Sequence, residues 1–236
     1  LLNTTDISHR KLTKLFLQIF LPSIQTASTS NPIITDKNEA FTILTTDLRF
    51  RKSLSLMIPP SLEAEIFFTR IRKELLALTA HKGKIPPHLK PLTEALALQC
   101  FLNEYVYTTS QEEQQMVAKL INIAADDQEA TDEYLAIIGC YKPLYTTGIK
   151  AELINNYQAA DCKSNELITT QFKEPLQEKE IKSSFQESLN ITDLTSQMVQ
   201  EMYEENPYPR FRYSDYTTKE LAKPIANTMK IEMTKH

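Results

Sequence analysis

Apolar residues recur three and four positions apart along most of this 236-residue chain, which is the spacing of one face of an α-helix. Segments 61–80, 110–124 and 129–138 show this spacing, whereas 89–107 is apolar almost all round, which is typical of the buried central helix of a bundle. Near the start, it is carried by Leu12, Leu15, Phe16, Ile19 and Phe20. The sequence therefore predicts an all-α fold, an irregular multi-helix bundle or helical array of about eight to ten helices with no substantial sheet.

Short helices are expected where prolines interrupt the pattern. Residues 36–57 are predicted to form one or two of them, and Pro59 and Pro60 end this stretch because proline lacks the backbone N–H that a helix needs. The candidates for burial in this stretch are Phe41, Ile43, Leu44, Leu48, Leu54 and Leu56.

Prolines and loop-forming residues divide the chain into three predicted parts. Residues 1–60 hold the N-terminal helices, and residues 61–190 form a central helical bundle. Residues 191–236 contain a linker helix, Asp193–Glu205, followed by a hinge rich in proline and aromatic residues.

Glycine is unusually scarce, with only Gly83, Gly139 and Gly148 in the whole chain. Loops that hold phosphate groups need several closely spaced glycines, because a Cβ keeps the backbone away from the anion. Neither GxGxxG nor GxxxxGK[ST] occurs. We therefore expect no nucleotide cofactor to bind to this segment.

Charge and cysteine content bear on partners and location. A net charge of −4 and a pI near 5.7 argue against a nucleic-acid surface. No run of 18 apolar residues is present, so no membrane contact is predicted. The widely spaced Cys100, Cys140 and Cys162 favour reduced thiols in a cytoplasmic protein, the first two in helix interiors.

The histidines and acidic residues of the chain are not spaced as they are in known types of catalytic or metal site. The four histidines, His9, His81, His88 and His236, sit in or near predicted loops. Glu201 and Glu205 share a helix face, an arrangement that suits a metal or an acid–base pair but is more typical of a solvated surface. We predict no catalytic residue and no metal ligand in this segment.

The most distinctive string is YEENPYPRF, at Tyr203–Phe211. Its prolines enforce an extended exit from the preceding helix, and its rings and arginine favour docking onto a neighbouring surface. The predicted interaction residues are Tyr203, Asn206, Pro207, Tyr208, Pro209, Arg210 and Phe211. A catalytic Asn-Pro-Pro-aromatic motif is the weaker alternative, because here the order is Asn-Pro-Tyr-Pro and a helix precedes it.

Four ordered segments resemble a bacterial family in which a helical region precedes a class I S-adenosylmethionine-dependent methyltransferase domain. Phe211 stands where the family's YEENPYPRW-like motif has tryptophan. The matching segments are Leu62–Ala80, Leu96–Tyr107 followed by the acidic pair Glu112–Glu113, Phe172–Glu180, and Tyr203–Phe211.

The resemblance implies a parent protein with tetratricopeptide repeats or similar material upstream and the methyltransferase domain downstream. S-adenosylmethionine is then the parent's cofactor, and this segment is a non-catalytic accessory module for substrate recognition, domain docking or dimerisation. Its partners are expected to be that domain in cis or another protein, and a homo-oligomer is possible. The first alternative is a free-standing helical interaction domain that has lost its enzyme; the second is a catalytic domain centred on Asn206–Tyr208.

Overall fold

The computed structural model describes residues 9–160 and 165–186, and every regular element in those ranges is helical. The all-α prediction is therefore confirmed. The helices are α1 (His9–Ser28), α2 (Glu39–Thr46), α3 (Leu48–Leu54), α4 (Leu62–Lys82), α5 (Lys90–Leu102), α6 (Gln111–Ala124), α7 (Gln128–Gly139), α8 (Ala151–Asn155), α9 (Glu166–Ile168) and α10 (Glu174–Gln186). A 3₁₀ turn occupies Leu144–Thr146, and a π-helical turn occupies Thr169–Lys173.

Side-chain caps explain why several helices begin where they do. The hydroxyl of Ser61 accepts the amide hydrogen of Ala64 at the start of α4. At the start of α6, Ser110 and Glu113 form a capping box, in which each side chain accepts the other residue's backbone N–H. Gly83 ends α4 in the left-handed conformation, with φ of 72°, which glycine adopts without steric cost.

Aromatic rings join the N-terminal helices to α4. The ring of Phe50 lies 5.3 Å from that of Phe20 and 6.2 Å from that of Phe68, measured between centroids. Phe68 in turn stacks on Tyr107 at 6.3 Å. All four side chains are buried. This hydrophobic core is continuous from Leu12 to Phe172, so it draws on residues from both sides of position 60.

Helix α5 lies at the centre of the core, where it packs against α3, α4, α7 and α9. Every residue from Ala95 to Leu102 is buried. A helix without a polar face was expected to be central, and the structure confirms this expectation.

Two of the residues expected to be buried near the N-terminus are exposed. Ile43 is 63% exposed and Leu48 is 56% exposed, so the burial prediction is wrong for both. Helices α2 and α3 have only 8 and 7 residues, and each turns one side to the core. Phe41, Leu44 and Leu54 occupy those sides and are buried, as expected, whereas Leu56 is half-buried.

On α1, the buried stripe is narrower than the sequence pattern. Leu12, Phe16 and Phe20 are buried, whereas Leu15 and Ile19 are each 42% exposed. The spacing of three and four residues marks two adjacent rows on a helix, and only one of them here meets the core.

Pro175 is accommodated within a continuous helical run from residue 166 to 186. Proline inside a helix clashes with the carbonyl group four residues earlier. Here that residue is Gln171, which lies in the wider π-helical turn just before α10. Helix α10 begins at Glu174, one residue before Pro175.

No helix among the described residues is long and apolar enough to cross a membrane. The predicted linker helix and hinge at 191–236 lie outside the described residues.

Candidate functional site

All of the predicted interaction residues, Tyr203, Asn206, Pro207, Tyr208, Pro209, Arg210 and Phe211, lie outside the described residues. Residues 9–160 and 165–186 contain two other features that bear on function: a set of buried polar side chains and an open groove.

Arg72 is the largest side chain that is almost completely enclosed, with 1% of its surface exposed. It projects from the middle of α4 towards the loop that follows α5. Its Nη2 donates to the carbonyl oxygen of Thr108 at 2.6 Å and to the hydroxyl of Thr109 at 3.1 Å. Its Nε has no hydrogen-bond partner among the described residues. The guanidinium group therefore holds the loop against α4 through hydrogen bonds from its Nη2 atom.

Two tyrosine rings enclose the same guanidinium group. Its central carbon lies 4.4 Å from the centre of the Tyr141 ring and 5.8 Å from that of Tyr107. A buried cation over an aromatic face is stabilised by the ring quadrupole, by about 2 kcal/mol where water is excluded. Tyr141 follows α7, so Arg72 links α4, the loop after α5 and the end of α7.

Glu113 completes this network from the first turn of α6. Its Oε1 accepts a hydrogen bond from the Tyr141 hydroxyl at 2.9 Å, and its Oε2 accepts the Ser110 N–H at 2.8 Å. Burial raises the pKa of the Glu113 carboxyl, but these hydrogen bonds and the Arg72 charge outweigh it, so the pKa lies below its ordinary value. We name Arg72, Tyr107, Glu113 and Tyr141 the arginine cluster.

Two buried glutamine amides fasten α5 to its other neighbours. Gln99, with its side-chain nitrogen facing them, donates to the carbonyl groups of Leu54 at 2.7 Å and Met57 at 2.9 Å. Gln171, in the π-helical turn, donates to the carbonyl groups of Ala97 at 2.7 Å and Gly139 at 3.0 Å. Both side chains are fully buried, and each amide group has hydrogen-bond partners inside the protein, as buried polar groups require.

Gly139 lies at a close approach of α5, α7 and the π-helical turn. A Cβ at this residue would lie 3.2 Å from Oε1 of Gln171 and 3.3 Å from Cβ of Ala97, tighter than ordinary contact. The absence of a side chain therefore allows the three elements to meet.

The loop after α5 has an unusual backbone. Glu104 and Tyr105 have φ values of 54° and 57°, a region that residues other than glycine seldom adopt. The hydroxyl of Tyr105 lies 3.3 Å from Oε1 of Gln171, within hydrogen-bond distance. Just before this turn, the buried Asn103 amide has no hydrogen-bond partner among the described residues.

The residues that make these buried polar contacts lie in or beside the segments that resemble the methyltransferase family. Arg72 lies in Leu62–Ala80, and Gln99 lies in Leu96–Tyr107. Glu113 belongs to the acidic pair, and Gln171 directly precedes Phe172–Glu180. Within the described part of the chain, each resembling segment thus contributes or adjoins a buried polar contact between helices.

An open groove with a volume of about 400 Å³ lies between α3, α5 and the chain around α9. Arg51 and Lys52 line it from α3, and Glu94 lines it from α5. The Oε1 of Glu94 accepts hydrogen bonds from the Tyr157 hydroxyl at 2.8 Å and from the Ala160 N–H at 2.9 Å. Burial, together with the Glu94 charge, raises the pKa of the Tyr157 hydroxyl well above its ordinary value.

The other sequence predictions can be compared with the structure residue by residue. His81 and His88 are exposed, whereas His9 is described only in its backbone and His236 not at all. Cys100 and Cys140 are free and buried, as expected, and burial raises the pKa of the Cys140 thiol well above its usual range. Cys162, Glu201 and Glu205 lie outside the described residues. Within the described ranges, no group of three His, Cys, Asp or Glu side chains is placed to hold a metal ion.

Comparison with protein-family models, with curated proteins and with solved structures returns no match to this chain.

Sequence reasoning missed the arginine cluster and the groove. A signal for Arg72 was present, because Phe68, Arg72 and Leu76 are four residues apart and a charge therefore falls on the apolar face of α4. The groove has no comparable signal, since its walls come from three separate segments of the chain, at 48–55, 91–98 and 159–167.

Proposed function

We propose that this chain is a non-catalytic helical accessory module of a bacterial S-adenosylmethionine-dependent methyltransferase, acting in substrate recognition, domain docking or dimerisation in the cytoplasm. The observation that carries the proposal is the position of the resembling segments. Three of the four lie within the described residues, where Arg72 and Gln99 join neighbouring helices and Gln171 does so directly before Phe172–Glu180.

A scaffold role accounts for the chemistry of these polar groups. The carboxylate of Glu113 is held by donors from Ser110 and Tyr141, and the guanidinium of Arg72 is enclosed between rings. Groups engaged in this way hold helices in fixed positions. A rigid helical module of this kind suits a docking platform, because preorganised surfaces lose less entropy on binding.

The docking element we propose is the hinge Tyr203–Phe211. Its rings offer apolar surface and Arg210 offers a planar donor to a carboxylate on the methyltransferase domain. The parent protein would bind S-adenosylmethionine in that domain.

The cofactor part of the proposal is tested by isothermal titration of S-adenosylmethionine into the 236-residue chain. We expect no saturable heat at millimolar cofactor. Saturable binding at one cofactor per chain would contradict the assignment as a non-catalytic module and favour the catalytic reading centred on Asn206–Tyr208.

The docking part is tested with the methyltransferase domain that the proposal places in the parent protein, expressed separately and mixed with this chain. The double variant Tyr208→Ala/Phe211→Ala is expected to weaken their association by about tenfold or more, because aromatic anchors dominate most interfaces. Ile123→Ala is the matched control, since this exposed apolar residue lies on α6. Equal affinity of both variants and the unmodified chain would refute a docking role for the hinge.

The second candidate function is a free-standing helical interaction domain that has lost its enzyme. Under this account a protein partner would cover exposed apolar residues on helix surfaces, such as Ile43 and Leu62.

A further inference from the structure

Two basic residues, Arg51 and Lys52, line the groove from α3. Helix α3 carries three basic side chains, and Arg49 is neutralised by Asp47 at 2.6 Å. Arg51 and Lys52, by contrast, have no hydrogen bond or ion pair from their side chains to any of the described residues. Both line the groove, so its α3 wall presents two cationic groups.

The rest of the groove is largely apolar. Ala95, Leu98 and Leu167 contribute buried or nearly buried surface, whereas Leu48 at the groove is 56% exposed. Leu48 lies on the same helix as Arg51 and Lys52. Covering its exposed side chain with an apolar group is favourable by about 25 cal/mol for each Å² of area removed from water.

The α5 wall has the opposite charge and a fixed geometry. Glu94 is held in place by Tyr157 and Ala160, and Glu166 lies nearby at the start of α9. An anionic group is therefore attracted to α3 and repelled from α5. This charge asymmetry gives a bound anion one preferred side of the groove.

We propose that this groove binds an acidic peptide segment of a partner protein. The peptide's carboxylates pair with Arg51 and Lys52, and one of its apolar side chains packs on Leu48. A peptide fits better than a small anion because Leu48, which lines the groove and is 56% exposed, gains from an apolar side chain that a small anion lacks. The proposal stands on the groove itself and does not depend on a relationship to methyltransferases.

The test measures fluorescence anisotropy of a labelled hexapeptide of alternating Glu and Leu, titrated with the full chain. The comparison probe replaces each Glu with Gln. We expect the acidic peptide to bind at least about tenfold more tightly than the Gln peptide, and its affinity to fall as salt rises. Equal affinity for the two probes, or no binding of either at millimolar protein, would overturn the proposal.

Variants locate the site. Arg51→Gln/Lys52→Gln is expected to reduce affinity for the acidic peptide about tenfold, and Leu48→Ala several-fold. The matched control, Lys73→Gln/Lys119→Gln, removes two exposed lysines from α4 and α6 and is expected to leave affinity unchanged. An equal loss in the control pair would show non-specific attraction and overturn the site assignment.

Glutarate separates a peptide site from a general anion site. We expect it to compete only at concentrations far above the peptide's dissociation constant, because it lacks an apolar side chain for Leu48. Competition at equal concentration would refute the peptide assignment. Thermal unfolding of each variant is measured alongside, and the conservative variant Arg51→Lys, which keeps the charge, is expected to retain most of the affinity.

Discussion

The guanidinium group of Arg72 lies 4.4 Å from the centre of the Tyr141 ring, although 69 positions separate the two residues in the chain. Tyr141 also donates its hydroxyl hydrogen to Glu113. One ring thus connects a cation on α4 with an anion on α6. This pairing makes the arginine cluster a joint between helices whose replacement has predictable effects.

Replacing Arg72 with Met is expected to lower the free energy of unfolding by about 2–4 kcal/mol. The variant loses the charged donor that joins buried Arg72 on α4 to the Thr108 carbonyl, and it loses the guanidinium group's stacking on Tyr141. Arg72→Lys is expected to lose at least half as much, because an ammonium group lacks the planar fork and stacks poorly. Urea unfolding measures both, with exposed Lys73→Met as the control. An ordinary surface substitution changes the free energy of unfolding by less than about 0.5 kcal/mol. A loss that small for Arg72→Met would contradict the claim that the arginine cluster holds the helices together.

The acid sensitivity of the fold is expected to involve Glu113. Its pKa is lowered in the folded state, so its contribution to stability is fully present above the ordinary pKa of a glutamic acid and is lost as pH falls through the folded-state value. Glu113→Gln removes that contribution. The difference in free energy of unfolding between the two proteins should be largest near pH 7 and should shrink below about pH 4. A difference that stays constant from pH 7 to pH 3 would exclude this role.

Gly139→Ala is expected to destabilise the protein, although alanine in a helix interior is favoured over glycine by about 1 kcal/mol. The added Cβ would press against Oε1 of Gln171, whose amide is fixed by two hydrogen bonds. Gln171→Ala removes that obstacle at the cost of those bonds. In a double-mutant cycle, Gly139→Ala should therefore be better tolerated in the Gln171→Ala background. Strictly additive effects would show that the two residues do not constrain each other.

Phe50→Ala is expected to cost about 3–5 kcal/mol, because the ring is fully buried among Phe16, Phe20 and Phe68. Leu48→Ala on the same helix is the control and should cost less than about 0.5 kcal/mol, since Leu48 is mostly exposed. Calorimetric unfolding measures both. Equal costs would mean that α3 does not pack as described.

Helix periodicity, caps and the central place of α5 were predictable because they depend on residues close together in the sequence. Ser110 and Glu113 are three positions apart, so their capping box can be predicted from the sequence. The exposure of Ile43 and Leu48 was not predictable, because it depends on which side of two short helices meets the core. The π-helical turn before Pro175 was likewise hidden, since it is selected by contacts of Gln171 with α5 and α7.

The groove and the arginine cluster depend on long-range contacts, which spacing alone does not reveal. Arg72 meets Thr108 across 36 positions, and Glu94 meets Tyr157 across 63. The predicted interaction hinge rests on local proline and aromatic chemistry and remains a prediction.

Reading the genomic frame beyond codon 236 tests the central proposal most directly. The proposal predicts that the frame continues past His236 into a short apolar strand and a glycine-rich cofactor turn, as in a class I methyltransferase domain. A stop codon shortly after that position would contradict it and leave a free-standing helical interaction protein as the better account.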